Sequence, residues 1–187
     1  NLSGLDGISL ETKDTSQVAH VSIENVVVNS LSSMDFMNGI GSMVLRNNVF
    51  NGSEISGAAT SGNITYCEIA GNTVIGTGRA LTLSVAGNHT IASCYVHDNT
   101  LDGEMWITSE NGGSYGGLVV ENNLIDLPYF GMYIGSVKGS NVAIRNNTIR
   151  YPDNGIKVVE SEDIRLEGNV IIGREGHAST EGITLEN

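Results

Sequence analysis

Asparagine returns along this chain at nearly constant intervals, and that periodicity limits the available folds more than any other feature. Short apolar-alternating runs end in it: Val21-Ser22-Ile23-Glu24-Asn25, Val44-Leu45-Arg46-Asn47-Asn48, Ile69-Ala70-Gly71-Asn72 and Val96-His97-Asp98-Asn99. The series continues with Val120-Glu121-Asn122-Asn123, Ile144-Arg145-Asn146-Asn147 and Leu166-Glu167-Gly168-Asn169. From Asn48 onward the last Asn of each run falls at 48, 72, 99, 123, 147 and 169, giving steps of 24, 27, 24, 24 and 22 residues. A repeat of this length marks a stack of small units, none of which closes a core alone.

A second run follows each Asn: Ala80-Leu81-Thr82-Leu83, Met105-Trp106-Ile107, Gly131-Met132-Tyr133-Ile134, Gly155-Ile156-Lys157-Val158 and Gly182-Ile183-Thr184-Leu185. Gly7-Ile8-Ser9-Leu10 is the same element from an earlier turn. Apolar residues at every second position predict strands with one buried face. No segment sustains the i, i+3, i+4, i+7 spacing of an amphipathic helix. The expectation is an all-β fold of about seven parallel coils, with the buried column Ile69, Val96, Val120, Ile144 and Leu166. Each Asn then turns inward at a corner and stacks its amide on the next, at the strand spacing of about 4.8 Å. Asn also tolerates the left-handed backbone that such a corner requires.

The run Gly155-Ile156-Lys157-Val158 through Ile164-Arg165-Leu166-Glu167-Gly168-Asn169-Val170-Ile171 resembles the parallel β-helix repeat of the pectin-lyase-like superfamily. That group includes pectate lyases, polygalacturonases, alginate epimerases, NosD-like periplasmic proteins and phage tailspikes. The resemblance implies a right-handed, single-stranded parallel β-helix, and an extracellular, cell-surface or periplasmic location. It covers nearly the whole chain, residues 1–187, as one domain. The repeat is built from core and turn positions, so it specifies fold and leaves function open. The chain opens within about one turn of a strand and stops in strand sequence at Leu185-Glu186-Asn187, with no polar cap at either end. The expectation is a segment flanked by further coils or domains of a longer protein.

Charge narrows the partners. A net charge of −12 with nine Lys and Arg leaves too few cations to neutralise phosphates, so nucleic acid is excluded. No run of about 18 apolar residues exists, so no helical membrane span is expected. The two cysteines, Cys67 and Cys94, lie two residues before Ile69 and Val96 and therefore point inward on adjacent coils. Their Cβ atoms fall near the strand spacing, beyond the ~3.8 Å that a disulfide prefers, which predicts buried thiols.

Stacking converts the repeat into a surface map. Just before the Asn corner the outward column reads Glu24, Arg46, Ala70, His97, Glu121, Arg145 and Glu167, in which Glu121–Arg145–Glu167 is a candidate charge ladder. Three positions past each Asn it reads Asn51, Ile75, Asp102, Asp126, Arg150 and Ile172. Two carboxylates on neighbouring coils repel, which raises one pKa unless a cation or Arg150 compensates. Asp102, Asp126 and Arg150 are accordingly the candidate catalytic residues, as an acid–base or glycosidase set; a Ca²⁺ site and a solvated pair are the alternatives. On the second strand the outward column Ser9, Thr82, Trp106, Tyr133, Lys157 and Thr184 places two aromatics side by side, expected to be exposed.

Sugar rings stack on such exposed faces. Seven of the ten aromatics lie between residues 95 and 151. Trp106, Tyr133, His97 and Lys157 are therefore the candidate substrate-binding residues, with a polysaccharide or surface glycan as partner. Lyase, epimerase and hydrolase chemistry all fit the resemblance. The Asp-Pro-His motif of alginate epimerases, the Asn-Thr-Asp and Gly-His-Gly motifs of polygalacturonases and a pectate-lyase calcium pattern are not found. The alternative is a non-catalytic structural or adhesive module that presents a rigid rod.

Overall fold

The computed structural model describes residues 2–3, 8–11, 19–29, 34–37, 40–52, 54–59, 62–126, 129–139, 141–173, 175 and 181–187. Among them every strand pairing is parallel and no helix occurs. Gly7, named above in the earliest strand run, lies outside the described residues.

The strands before the Asn corner form one seven-stranded sheet: Ala19–Glu24, Ile40–Arg46, Tyr66–Ala70, Cys94–His97, Leu118–Glu121, Val142–Arg145 and Ile164–Glu167. Seven stacked strands span six full turns. The expected column is in register, with Ile69 beside Val96, Val96 beside Val120, Val120 beside Ile144 and Ile144 beside Leu166. Its first four members are wholly buried. The strands past the corner build a fourteen-stranded sheet in which a short segment, such as Leu124–Asp126, precedes a longer one, such as Phe130–Gly135. In two coils the segments fuse into Thr73–Ala86 and Thr100–Glu110.

Two adjacent residues divide the work of the corner. The left-handed backbone falls on the residue before the inward Asn: Asn47, Gly71, Asp98, Asn122, Asn146 and Gly168 have φ between 54° and 63°. The following Asn turns inward, and Asn48, Asn72, Asn99, Asn123 and Asn147 are at most 1 % exposed. Each amide nitrogen donates to the next Oδ1 at 2.9–3.0 Å, running from Asn48 to Asn169. Its other hydrogen goes to a carbonyl of the preceding coil, as in Asn123 to Val96 O at 3.0 Å. Each Oδ1 also accepts the backbone N–H of the Asn one coil earlier. A buried amide is tolerated only when its donors and acceptor are matched, and here they are. In the first coil Asn25 takes the left-handed position at φ 58° and Val26 occupies the ladder position, so the ladder begins at Asn48.

Coil length varies at the second corner. Equivalent inward residues are Leu81, Met105 and Met132. Nine residues separate Asn72 from Leu81 and Asn123 from Met132, but six separate Asn99 from Met105. The longer coil absorbs its extra residues as a bulge, with register shifts between Ile75 and Leu81. Opposite it, Gly103 sits at φ 142°, and a Cβ there would lie 2.5 Å from Gly78 O, so only glycine fits.

Candidate functional site

The outer face of the fourteen-stranded sheet carries most of the candidate residues. Asp102 pairs with Asp126, Asp126 with Arg150, and Ile75 and Ile172 flank them, as the column read from sequence requires. The inward neighbours Leu101, Ile125 and Ile149 are wholly buried, which fixes Asp102, Asp126 and Arg150 outward. Among the described residues these three side chains take no hydrogen-bond or ion-pair partner, and Asp126 Oδ1 is shielded from water. By contrast Arg46, Arg145, Lys157 and Arg165 are all in ion pairs. Two exposed tyrosines lie close to the column in the chain: Tyr129, 59 % exposed, whose ring meets Phe130 edge-on at 4.8 Å, and Tyr151, 42 % exposed, next to Arg150.

Trp106 and Tyr133 are cross-strand neighbours as expected, but their environment differs from the exposed platform expected above. Their rings stack on each other at 4.3 Å between centroids. The opposite face of the indole carries the Arg79 guanidinium, 3.9 Å from its centroid. The indole N–H donates to Glu104 at 2.6 Å, and Phe130 meets the indole edge-on at 6.1 Å. Trp106 is therefore half-buried with both faces covered. The cause is coil length: its own coil is the short one at this corner, and Arg79 and Phe130 come from the longer coils on either side. Lys157 follows Tyr133 in the column and pairs with Glu186 at 2.7 Å, and that hydrogen bond holds its ammonium pKa above the ordinary value.

His97 lies on a different sheet, so the structure does not bring it to Trp106. Its Nδ1 is 2.7 Å from Asp98 and its Nε2 is 3.7 Å from Glu68, while the ring packs on Tyr95 at 4.2 Å. Sequence reading missed Glu68, which accepts two hydrogen bonds from Arg46 at 2.8 and 2.7 Å and one from Tyr66 at 2.6 Å. The signal was present in Ala70: it lies opposite Arg46 and offers no acceptor, so the guanidinium reaches diagonally to the next outward residue. The Arg46 hydrogen bond, with help from Tyr66, pulls the Glu68 carboxyl down to about 2, and the same contact pushes the Tyr66 hydroxyl up to about 12.

Tyr95, Glu121 and Arg145 repeat this grouping farther along the sheet. Of the expected ladder, Arg145 bonds Glu121 at 2.6 Å, whereas Glu167 bonds Arg165 of its own strand at 2.7 Å. Cys67 and Cys94 are cross-strand partners, buried and free. Burial, and then the bond to Cys67, pushes the Cys94 thiol well above its ordinary pKa. A cleft of about 700 Å³ lies apart from all of these, lined by Ser109, Glu110, Ser136, Lys138, Glu160 and Ser161 among others. It lies where the longer strands end: its residues Ser109, Ser136, Glu160 and Asn187 each follow one of the in-register set Thr108, Gly135, Val159 and Glu186.

A family model described as "Periplasmic copper-binding protein (NosD)" matches residues 2–126. No curated protein and no solved structure matches the chain. Copper sites draw on imidazole, thiolate and thioether donors. Among the described residues no three His, Cys, Asp or Glu side chains gather within reach of one ion. Both nitrogens of His97 face carboxylates, and the two thiols are sealed in the core. Among the described His, Cys, Asp and Glu side chains no copper centre is assembled.

Proposed function

Because the chain belongs to the NosD family of periplasmic proteins, we propose that it is a periplasmic β-helix whose fourteen-stranded face binds carbohydrate over the coils containing residues 95–157. One observation carries this reading. Among the described residues Asp102, Asp126 and Arg150 form a polar column without side-chain partners, whereas Arg46, Arg145, Lys157 and Arg165 are each held in an ion pair. Carboxylates and a guanidinium without side-chain partners are free to accept from and donate to ligand hydroxyls, and Asp102, Asp126 and Arg150 are all at least partly exposed. Tyr129 and Tyr151 add exposed rings close to the column in the chain, suited to the C–H faces of a sugar.

Trp106 and Tyr133 serve this face as support. Stacked with Arg79 and tied to Glu104, they hold the second corner rigid and leave the tyrosines as the stacking surface.

Screening immobilised polysaccharides and then titrating the best binder tests the proposal. A hydrogen bond to a charged group is worth about 1.5–3 kcal/mol, so Asp126→Asn and Arg150→Ala should each weaken binding roughly tenfold or more. Absence of any glycan binding, or equal binding by both variants, refutes it. Release of new chain ends from the polymer, lost in Asp126→Asn even at polymer concentrations that saturate the variant, would make the face catalytic.

A further inference from the structure

The corner past the longer strands changes length partway along the stack. Ser84 is in register with Thr108 and Ile91 with Tyr115, and seven residues separate Ser84 from Ile91 and Thr108 from Tyr115. Thr108 is also in register with Gly135, and Tyr115 bridges to Gly139, yet four residues separate Gly135 from Gly139. The extra residues of the longer coil project as a turn at 110–113, closed by the Gly113 N–H on Glu110 O at 3.0 Å. The corners that follow turn on single left-handed residues, Ser136 at φ 53° and Glu160 at φ 47°. The cleft of about 700 Å³ is the notch between the projecting turn and these tighter corners.

Its buried hydroxyls serve the fold. Ser161 Oγ accepts the Val137 N–H at 3.0 Å and donates to Val159 O at 2.8 Å, and Ser109 Oγ donates to Gly113 O. Its charged groups are left open. Among the described residues the side chains of Glu110, Asn111, Lys138 and Glu162 take no hydrogen-bond or ion-pair partner, and Glu160 accepts only a long bond from Ser136 at 3.4 Å. Clefts of about 300–1,000 Å³ are the size that takes small ligands.

We propose that this cleft binds a short cationic peptide, of about two or three residues, through its ammonium groups and its terminal carboxylate. Glu110, Glu160 and Glu162 against Lys138 alone favour a ligand of net positive charge. A ligand carboxylate is the acceptor that the Lys138 ammonium lacks. A polyamine offers it no acceptor, and an anionic ligand meets the glutamates. No aliphatic or aromatic side chain lines the cleft, so charge and hydrogen bonding select what enters. The site stands apart from Asp102, Asp126 and Arg150 and does not rest on the carbohydrate reading.

Calorimetric titration at low salt with trilysine, its C-terminal amide and triglutamate tests the proposal. Trilysine should bind at least about tenfold tighter than triglutamate. Glu110→Gln and Glu162→Gln should each weaken trilysine several-fold. Lys138→Ala should weaken trilysine several-fold but not its amide, which has no carboxylate to lose. All three positions are exposed, so folding should hold, as thermal melting would verify. Absence of trilysine binding, or triglutamate binding as tightly, overturns the proposal. The whole chain carries a net charge of −12, so trilysine binding that ignores all three substitutions is general adsorption and overturns it too. Equal losses for trilysine and its amide in Lys138→Ala overturn the pairing of Lys138 with the carboxylate.

Discussion

At the scale of single residues the inward asparagines do the most for the fold. Asn123 donates to Asn147 and to Val96 O, and its Oδ1 accepts from the amide and backbone of Asn99. Asn123→Leu strands buried partners on both sides, at about 1–3 kcal/mol for each group left unpaired. Chemical denaturation should show a loss of several kcal/mol, and a much smaller loss for Asn169→Leu at the half-exposed end of the ladder. The Glu68 cluster gives a pH prediction. Its carboxyl is held at about 2, below the unfolded value, so its contribution is full above the ordinary carboxylate range and is lost as pH falls toward 2. Tyr66, raised to about 12, contributes below its ordinary value near 10, and that is lost as pH rises toward 12. Glu68→Gln should flatten the acid limb of a stability–pH profile. An unchanged limb would show that the Arg46–Tyr66 contacts do not set it. The ladder was legible in sequence because its period is strict. Glu68 was not, because its partner is chosen diagonally, where a small Ala70 leaves the direct neighbour of Arg46 without an acceptor.

Among the elements, the corner between the two segments of the fourteen-stranded sheet decides what the face presents. Strand columns were readable from alternation alone, since a one-residue slip would turn every core side chain outward. The covering of Trp106 was not readable. It depends on three extra residues in one neighbouring coil, which place Arg79 over the indole, and on the longer coil that follows, which supplies Phe130. Alternation assigns a side to each residue and is silent on what an adjacent bulge lays over it. Gly103→Ala probes this corner. Its Cβ would meet Gly78 O at 2.5 Å in a backbone region closed to L side chains, so a loss of about 1–3 kcal/mol should appear on denaturation. Ile144→Asp probes the core. An unpaired charge at a wholly buried site costs several kcal/mol, and the variant should fail to fold. Cys67 and Cys94 should both alkylate when the protein is denatured without reductant, and an unmodified pair would show a disulfide instead of the free thiols.

For the molecule as a whole, the repeat extends beyond the residues that the family model covers. The same columns run from Val27 to Ile172, past the end of the match at residue 126. Stability in such a stack is a sum over neighbouring coils, so function is free to concentrate on one face without cost to the rest. In the proposal above that face is the one that carries Asp102, Asp126 and Arg150, with Tyr129 and Tyr151 beside it. Hydroxyl-radical footprinting read by mass spectrometry tests the assignment most directly, because exposed tyrosines oxidise readily and a bound glycan shields them. With a binding polysaccharide present, oxidation of Tyr129 and Tyr151 should fall several-fold. Tyr66, 38 % exposed on the other sheet, should be unchanged and serves as the internal control. Protection of Tyr66 with none at Tyr129 or Tyr151 would place the ligand on the wrong face and contradict the account.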